Sequence, residues 1–261
     1  MKINCHTNPR HCAQPESDHL PTGIPQLDAA MEGGIPRGRL TVFAAYMGVG
    51  KTMALCNFSG TMLTEGHQGV FMSYRSGNLV SSYLSAFLPS TSHGDHDRRE
   101  LDAQGCKKLC HIDWLYRPKK LPLLESLRYE IDQVDLDQVD FLMIDEINDD
   151  ATEARRCDYI DREAKYRATA EFLDAFARET GIAVVAAISS NKSALFHKYN
   201  CPYYTCSSKQ FSRSAKYFIG MSSLREIDED NSPAGYLKNQ FLSVHYGDTL
   251  KLKQHVPVVR W

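Results

Sequence analysis

The stretch that decides the fold is Ala45-Tyr46-Met47-Gly48-Val49-Gly50-Lys51-Thr52. It directly follows the apolar run 40–44 and leads into residues 51–65, which are compatible with a helix. Glycine lets the backbone turn where a Cβ would block close approach to an anion, and a helix start presents N–H groups to that anion. This order of strand, turn and helix predicts a phosphate-binding loop, with a simple glycine-containing turn as the alternative.

The residue types in this loop fit a nucleoside triphosphate with bound magnesium. Lys51 supplies a point charge for the β and γ phosphates, and we predict a catalytic role for it. Thr52 offers a hydroxyl to Mg²⁺, a cation that prefers oxygen ligands. The first position of the motif is alanine instead of glycine, which is tolerable where the backbone keeps φ negative. The residues of this segment predicted to bind ATP are Ala45, Gly48, Val49, Gly50, Lys51, Thr52 and Met53.

The size and composition of the chain favour one large domain. Of the 261 residues, 43% are apolar, which is enough to fill a sheet-and-helix interior. Residues 1–20 are polar and aperiodic, which predicts an N-terminal arm followed by one domain over residues 21–261. A net charge of −2 gives no global attraction to nucleic acid or to an anionic membrane. Without an apolar stretch of about 18 residues or a leader segment, we expect a cytoplasmic protein that binds no membrane.

The eight cysteines are more consistent with reduced thiols than with disulfides, because no secretory leader is recognisable. Two clusters contain residue types that bind zinc, but neither has the closely paired cysteines of a typical structural zinc site. We therefore predict no transition metal, with a structural zinc as the alternative. The residues of these clusters are Cys5, His6, His11, Cys12, Cys106, Cys110 and His111.

Strand-like and helix-like segments alternate along most of the chain. Short apolar runs indicate strands buried on both faces, and apolar residues at helical spacing indicate helices between them. Strands predicted at 40–44, 70–73, 112–116, 141–144 and 182–188 alternate with helices predicted at 51–65, 79–88, 101–110, 121–134 and 164–179. Further strands are predicted at 217–221, 240–246 and 249–254. This order predicts an α/β three-layer sandwich with a mostly parallel central sheet and an antiparallel C-terminal extension at one edge.

Two acidic residues follow the apolar run 141–144. Asp145 lies where a strand beside the phosphate loop would end, so its carboxylate is a candidate to hold the magnesium shell. The adjacent Glu146 is a candidate general base that polarises an attacking water. A solvated carboxylate at a strand end is the alternative for both residues.

A wider set of motifs resembles a known family. The segments Thr22-Gly23-Ile24-Pro25 and Gly33-Gly34-Ile35-Pro36-Arg37-Gly38, followed by the phosphate loop, are similar to the opening of the RecA-like ATPase core of DnaB-type replicative helicases and their KaiC and RadA relatives. The likeness covers roughly residues 20–255 and places Asp145 at the Walker B position. It implies rings or filaments in which ATP lies between subunits and DNA passes through the centre. The implied partners are single-stranded DNA, further copies of the chain and replication proteins.

The chain departs from this family at three functional positions. Arg75 stands where the family has a water-activating glutamate, and near the γ-phosphate it would add attraction for the nucleotide. Ser189 or Ser190 replaces a glutamine that couples the γ-phosphate to DNA loops, and His245 is the closest candidate for a basic finger. These changes leave the phosphate loop intact, so ATP can bind while hydrolysis slows. Either Glu146 takes over as base, or turnover is weak.

Cations alternate with aromatic residues between the predicted strands 182–188 and 217–221. In a long loop this mixture suits phosphate neutralisation and base stacking, so we predict contacts with single-stranded nucleic acid. A solvated surface loop is the alternative. The candidate residues are Lys192, Lys198, Tyr203, Lys209 and Arg213.

Three functions remain open from the sequence. The first is a RecA-like or DnaB-like ATPase that acts on single-stranded DNA in replication or recombination, as a helicase-like motor or loader with slow hydrolysis. The second is a nucleotide-gated structural or regulatory oligomer with a degenerate ATPase site. The third is a small-molecule kinase, although the 22–38 segment and the absence of an evident lid argue against it.

Overall fold

A computed structural model describes residues 18–73, 98–102, 108–113, 123–147, 159–196, 208–223, 239–246 and 249–257. These residues form a large central sheet with helices on both faces, and a small separate sheet. Within the described ranges, the helices are too short or too polar to cross a membrane.

The small sheet pairs β1 (His19–Leu20) with β2 (Ile35–Pro36). The central sheet contains β3 (Leu40–Ala45), β4 (Gly69–Ser73), β5 (Arg98–Asp102), β6 (Lys108–Asp113), β7 (Phe141–Ile147), β8 (Ala183–Ser189), β9 (Tyr217–Ser223), β10 (Asn239–Tyr246) and β11 (Thr249–Pro257). Their spatial order is β11-β10-β9-β3-β8-β7-β4-β6-β5. The strands from β9 to β6 in this order run parallel. Strand β10 pairs antiparallel with β9 and β11, and β5 pairs antiparallel with β6.

Helices cover both faces of the central sheet. The described helices are α1 (Pro25–Ala30), α2 (Lys51–Thr64), α3 (Leu123–Asp132), α4 (Tyr159–Thr180) and α5 (Ser208–Ser214), together with a 3₁₀ turn at Lys192–Phe196. One apolar core joins α1 and α2 to one face of the sheet, and a second core joins α3, α4 and α5 to the other face. The predicted α/β three-layer architecture, with its antiparallel C-terminal extension, is therefore confirmed.

Strand β3 shows why such sequences form the centre of a sheet. All its residues are buried: Leu40, Val42 and Ala44 pack in one core, and Phe43 and Ala45 pack in the other. Alternate side chains of a strand point to opposite faces, so helices on both faces require apolar residues at nearly every position. Each large apolar side chain buried in this way contributes roughly 1.5–3 kcal/mol.

The segment that precedes β3 packs against α2. Thr22 donates its backbone N–H and its hydroxyl to Asp28 Oδ1, at 2.9 and 2.7 Å, which ties the entry of the chain to α1. Burial raises the pKa of Asp28, and the hydrogen bonds from Thr22 partly oppose that shift. A Cβ on Gly23, which has φ +81°, would lie 2.5 Å from Thr61 Oγ1 on α2. The motif ahead of the phosphate loop thus braces the helix that follows the loop.

A hydrogen-bonded cluster closes the edge of the sheet where the parallel strands begin. Arg37 Nη1 donates to Asp140 Oδ1 at 3.0 Å, and the Gln68 N–H donates to Asp140 Oδ2 at 2.8 Å. Arg37 Nη2 lies 3.3 Å from His67 Nδ1, which is 3.8 Å from Asp140 Oδ2. Burial acts to raise the pKa of Asp140, but His67, Gln68 and Arg37 outweigh it and lower the pKa to about 2. The cluster joins the entries of β4 and β7.

One predicted helix is wrong. Most predicted elements are confirmed with small differences at their ends, but the ends of the segment 101–110 belong to strands β5 and β6, with Leu101 opposite Leu109. A short segment of mixed polarity does not distinguish helix from strand, and β4 selects the strand by pairing with β6. The antiparallel strand at this edge of the sheet was not predicted.

Several predictions concern residues outside the described ranges. These are the helix at 79–88, the last residues of the strand at 112–116, and most of the arm at 1–20. Leu20 is buried in the core that contains α2. The division between residues 20 and 21 remains a prediction.

Candidate functional site

The strand order places three strand ends side by side. Strand β8 lies between β3 and β7, and all three are parallel, so their C-terminal ends meet at one edge of the sheet. Ala45 at the end of β3 is opposite Ser189 of β8, and Ile188 of β8 is opposite Ile147 of β7. In open α/β sheets this edge is where ligands bind. The loop before α2 lies at the same edge.

The loop between β3 and α2 has the conformation that its glycines allow. Gly48 has φ +82° and Gly50, which caps α2, has φ +109°, values that residues with a Cβ rarely adopt. Among the described residues, no heavy atom lies within 4 Å of a Cβ built on Gly48, so this side of the loop is open. Ala45 is accommodated as the last residue of β3, where the backbone is extended. The first N–H groups of α2 have no carbonyl partner within the helix and form an anion site with the positive end of the helix dipole.

Lys51 is buried at the start of α2, with its ammonium group inside the loop. Its Nζ donates to the carbonyl oxygen of Ala45 at 3.1 Å and lies 3.4 Å from Ser189 Oγ. Glu146 Oε2 is 3.5 Å from the same Nζ. The lysine side chain therefore spans the ends of all three strands.

Thr52 and Asp145 form the second contact between α2 and the strand ends. The hydroxyl of Thr52 donates to Asp145 Oδ2 at 2.7 Å, and both side chains are buried. Because the hydroxyl proton points to the carboxylate, the hydroxyl oxygen and the carboxylate oxygens provide lone pairs for a hard cation. One turn further along α2, burial and then the charge of Asp145 raise the pKa of the Cys56 thiol. Cys56 therefore stays protonated and is not a nucleophile.

An irregularity in β7 brings two successive carboxylates to one site. Ile144 is opposite Ala186 and Ile147 is opposite Ile188, so β7 has one more residue than β8 over this stretch. Ile144 and Ile147 both pack in the same core, whereas a regular strand would place them on opposite faces. The extra residue permits Asp145 to reach Thr52 while Glu146 accepts a hydrogen bond from Ser189.

Most of the predicted nucleotide-binding residues lie together in this loop and in the first turn of α2. Val49 is buried, and Met53 is partly buried on α2. Arg75 lies outside the described residues. The cysteine and histidine residues at 5, 6, 11, 12 and 106 also lie outside them, and the described residues contain no group of three potential metal-binding side chains of these types.

The predicted nucleic-acid residues are spread over two elements. Lys192 is exposed and follows β8 at the edge that carries the phosphate loop. Lys209 lies on α5, and Arg213 is exposed in the last turn of α5, just before β9 begins at the opposite edge. The prediction of one long loop is wrong for the described parts, which form a 3₁₀ turn and α5, held to α4 by Phe211 and its neighbours. Lys198 and Tyr203 lie outside the described residues.

Sequence reasoning did not assign Ser189 its contacts. It named Ser189 or Ser190 only as the replacement for a glutamine, and the structure places Ser189 between Lys51 and Glu146. The available signal was a polar residue directly after the apolar run of β8. His245, the finger candidate, packs against Phe218 near the opposite edge of the sheet, with ring centroids 5.8 Å apart.

The loop, its buried lysine and the threonine–aspartate pair define a P-loop ATPase domain with a RecA-like fold. The chain belongs to the AAA domain family, whose family pattern matches residues 7–194.

Solved structures show the same fold at low sequence identity. The RadB recombinase is 14% identical, with a TM-score of 0.58 over 92% of this chain and 96% of that chain. A KaiC-like protein from the hyperthermophilic archaeon Pyrococcus horikoshii is 15% identical, with a TM-score of 0.57 over 92% and 93%. The ATPase domain of a DnaB-type helicase is 14% identical, with a TM-score of 0.59 over 95% and 89%. No curated protein matches the chain significantly by sequence.

Proposed function

We propose that the protein binds ATP with Mg²⁺ at this site, hydrolyses it slowly, and acts on single-stranded DNA in replication or recombination as a helicase-like motor or loader. The observation that carries the proposal is the position of Lys51 and Thr52 at the start of α2, beside the Asp145 carboxylate. These are the groups that a triphosphate and its magnesium ion require, and strands β3 and β7 hold them in place.

The loop fits a triphosphate by its shape and charge. Gly48 leaves one side of the loop open, and the N–H groups at the start of α2 point to the same side. The ammonium of Lys51 adds a positive charge in a buried place, where it interacts strongly with phosphate oxygens. We therefore assign phosphate binding to the loop and to the first turn of α2.

The donor set at Thr52 and Asp145 fits Mg²⁺. A hydroxyl and a carboxylate are hard oxygen donors, and Mg²⁺ in such sites keeps several waters and binds one or two protein groups. When bound, the ion supplies charge neutralisation for the phosphate oxygens. Asp145 would hold its hydration shell and Thr52 would bind it directly.

Glu146 is our candidate for the general base of hydrolysis. Its carboxylate is largely buried, with 12% side-chain exposure, and it lies beside the ammonium group of Lys51. A base at this position removes a proton from a water molecule whose oxygen bonds to the γ-phosphorus, while the bond to the bridging oxygen breaks and ADP leaves. Pairing of this carboxylate with Lys51 supports slow turnover, because the base is held by another group.

The action on single-stranded DNA is supported by exposed cations and by the nature of the structural neighbours. Lys192 at the edge of the phosphate loop and Arg213 on α5 are exposed and available to phosphates. One structural neighbour is named as a recombinase. We propose a cytoplasmic homo-oligomeric ring or filament that works with replication proteins.

The deciding experiment combines ATP binding with turnover. Calorimetric titration with ATP and Mg²⁺ should detect binding, and Lys51→Ala should weaken it by about 100-fold, since an ammonium–phosphate contact is charge-assisted. Lys216→Ala is the matched control, because Lys216 lies over the Tyr217 ring at the opposite edge of the sheet. Steady-state phosphate release should be slow and should rise when single-stranded DNA is added. Absence of ATP binding by the wild-type protein would refute the proposal.

A second function is a nucleotide-gated structural or regulatory oligomer. The ion pair between Lys51 and Glu146 favours it, because a base that remains paired gives binding without productive hydrolysis. Light scattering distinguishes the two functions. Assembly with ATP and no turnover, with or without DNA, supports the regulatory oligomer, and turnover stimulated by DNA supports the motor or loader.

A further inference from the structure

We propose that Ser189 is a positioning residue for Glu146, and that Ser189, Glu146 and Lys51 form a latch that the phosphates of the nucleotide open. This inference rests on the proposed function, because it concerns the same site. It assigns a role to the end of β8, the strand between the phosphate loop and the carboxylates.

The contacts of Ser189 are those of a bridge. Its hydroxyl donates to Glu146 Oε1 and lies 3.4 Å from Lys51 Nζ, from which it accepts a hydrogen bond. The other carboxylate oxygen, Glu146 Oε2, lies 3.5 Å from the same Nζ. One hydroxyl and one ammonium therefore hold the two oxygens of the carboxylate separately.

Burial makes this arrangement strong. The side chains of Lys51 and Glu146 are only 5% and 12% exposed, so their attraction is poorly screened by water. Removing one member of such a group leaves a polar or charged partner without compensation in a buried place. The three residues should therefore behave as a coupled unit and not as independent contacts.

The latch has a direct consequence for the base. Lys51 cannot give its full charge to phosphate oxygens and to Glu146 at the same time, so phosphate binding draws the ammonium away from Oε2. Ser189 still holds Oε1, so the carboxylate keeps its direction while Oε2 becomes available to accept the proton of water. A carboxylate that lost both partners would turn away from its position. The hydroxyl of Ser189 thus keeps the base in place after the lysine has moved.

The first test uses the protein without nucleotide and therefore does not depend on turnover. Melting temperatures are measured for Ser189→Ala, for Glu146→Gln and for the double variant. The shift of the double variant should differ clearly from the sum of the two single shifts, because the two groups interact. Ser59→Ala is the matched control: it removes an equally buried hydroxyl from α2, away from the strand ends, and should be additive with Glu146→Gln. Additive shifts for the Ser189 pair would overturn the latch.

The second test separates positioning from a merely structural role. Ser189→Ala should lower kcat by about tenfold, a part of the 10²–10⁴-fold that a general base typically contributes. Its KM for ATP and its affinity for ADP should stay within about twofold, because the phosphate-binding groups are unchanged. Ser189→Thr keeps the hydroxyl and should retain most of the wild-type kcat. Unchanged kcat in Ser189→Ala, or a loss of ADP affinity as large as the loss of kcat, would overturn the positioning role.

ADP binding by Glu146→Gln tests the release of the lysine. Without the carboxylate, Lys51 no longer leaves an ion-pair partner when phosphate arrives, so the variant should bind ADP about fivefold more tightly. Unchanged or weaker ADP binding counts against the latch. If the wild-type protein binds no nucleotide, the proposed function fails, whereas the melting experiment still decides whether the three residues are coupled.

Discussion

Strand β7 is preceded by one buried aspartate, Asp140, and carries a second, Asp145, near its other end. Asp140 accepts hydrogen bonds from Arg37 and from the Gln68 N–H, and its lowered pKa keeps it ionised. Asp145 accepts a hydrogen bond from the hydroxyl of Thr52 at the start of a helix. The same residue type is a structural clasp where fixed cationic and amide donors surround it, and a cation site where a hydroxyl and a helix start face it.

The difference between the two ends of β7 can be tested by the same kind of substitution at each end. Substitutions at the end that carries Glu146 and Asp145 should change nucleotide chemistry with little change in folding. Substitution of Asp140 should change folding with little change in nucleotide binding. Mixed outcomes would show that the two ends are not functionally separate.

The largest effect is expected for Glu146→Gln. Loss of the general base should lower ATP turnover by about 100-fold or more, measured as steady-state phosphate release. Nucleotide binding should remain, because the loop and Lys51 are intact. Glu125→Gln, on an exposed face of α3, is the control and should turn over ATP like the wild-type protein. Equal rates for Glu146→Gln and the wild-type protein would exclude Glu146 as the base.

A smaller effect is expected for Asp145→Asn. The amide is a weaker partner for the hydrated ion, so affinity for ATP in the presence of Mg²⁺ should fall by about 10- to 100-fold. Affinity measured in excess chelator should change little, since Asp145 acts through the ion. Calorimetric titrations with and without Mg²⁺ make this comparison. An equal loss under both conditions would mean that Asp145 supports the loop and not the cation.

Asp140→Asn should destabilise the protein without changing ATP affinity. The pKa of about 2, against an ordinary value of 3.8, means that the ionised carboxylate stabilises the folded state at neutral pH. The substitution should therefore lower the free energy of unfolding by roughly 2 kcal/mol, as measured by urea denaturation at pH 7. A variant with wild-type stability and weakened ATP binding would contradict the structural role.

The same carboxylate predicts a pH dependence of stability. A group whose folded-state pKa is lowered contributes stability above its unfolded pKa, and loses it as the pH falls through the folded value. For Asp140 the loss should occur as the pH falls from about 4 to about 2. The difference in unfolding free energy between the wild-type protein and Asp140→Asn should shrink over this window. A constant difference from pH 7 to pH 2 would show that ionisation of Asp140 is not the cause.

The smallest effect is expected at the exposed cations. Lys192→Ala and Arg213→Ala should each reduce the slope of log K for single-stranded DNA against log salt by roughly 0.7, because each removes one phosphate contact. Fluorescence anisotropy with a labelled oligonucleotide at several salt concentrations measures this slope. Lys216→Ala provides the reference. Slopes that match the wild-type value in both variants would place the DNA-binding surface elsewhere.

The phosphate loop and the Walker B aspartate could be predicted because their signals are local. Gly48, Gly50 and Lys51 occupy adjacent positions, and Asp145 ends an apolar run that is recognisable by itself. The bridging position of Ser189 could not be predicted, because it depends on β8 lying between β3 and β7, and sequence periodicity carries no spatial strand order.

Two other features show the same limit. The contact between Arg37 and Asp140 joins residues 103 positions apart, and no local pattern announces it. The pairing of β5 and β6 replaced a predicted helix, because the segment is short and the partner strand decides its conformation. The local parts of the site were therefore predictable, whereas its assembly from distant strand ends was not.

The additional residue in β7 makes the site sensitive to chain length in a way that no side-chain replacement reproduces. Deleting one residue between Ile144 and Ile147 would restore ordinary alternation and turn one of the two carboxylates toward the opposite helical layer. Genetic variation that shortens this stretch by a single codon should therefore abolish activity even when every remaining side chain is retained.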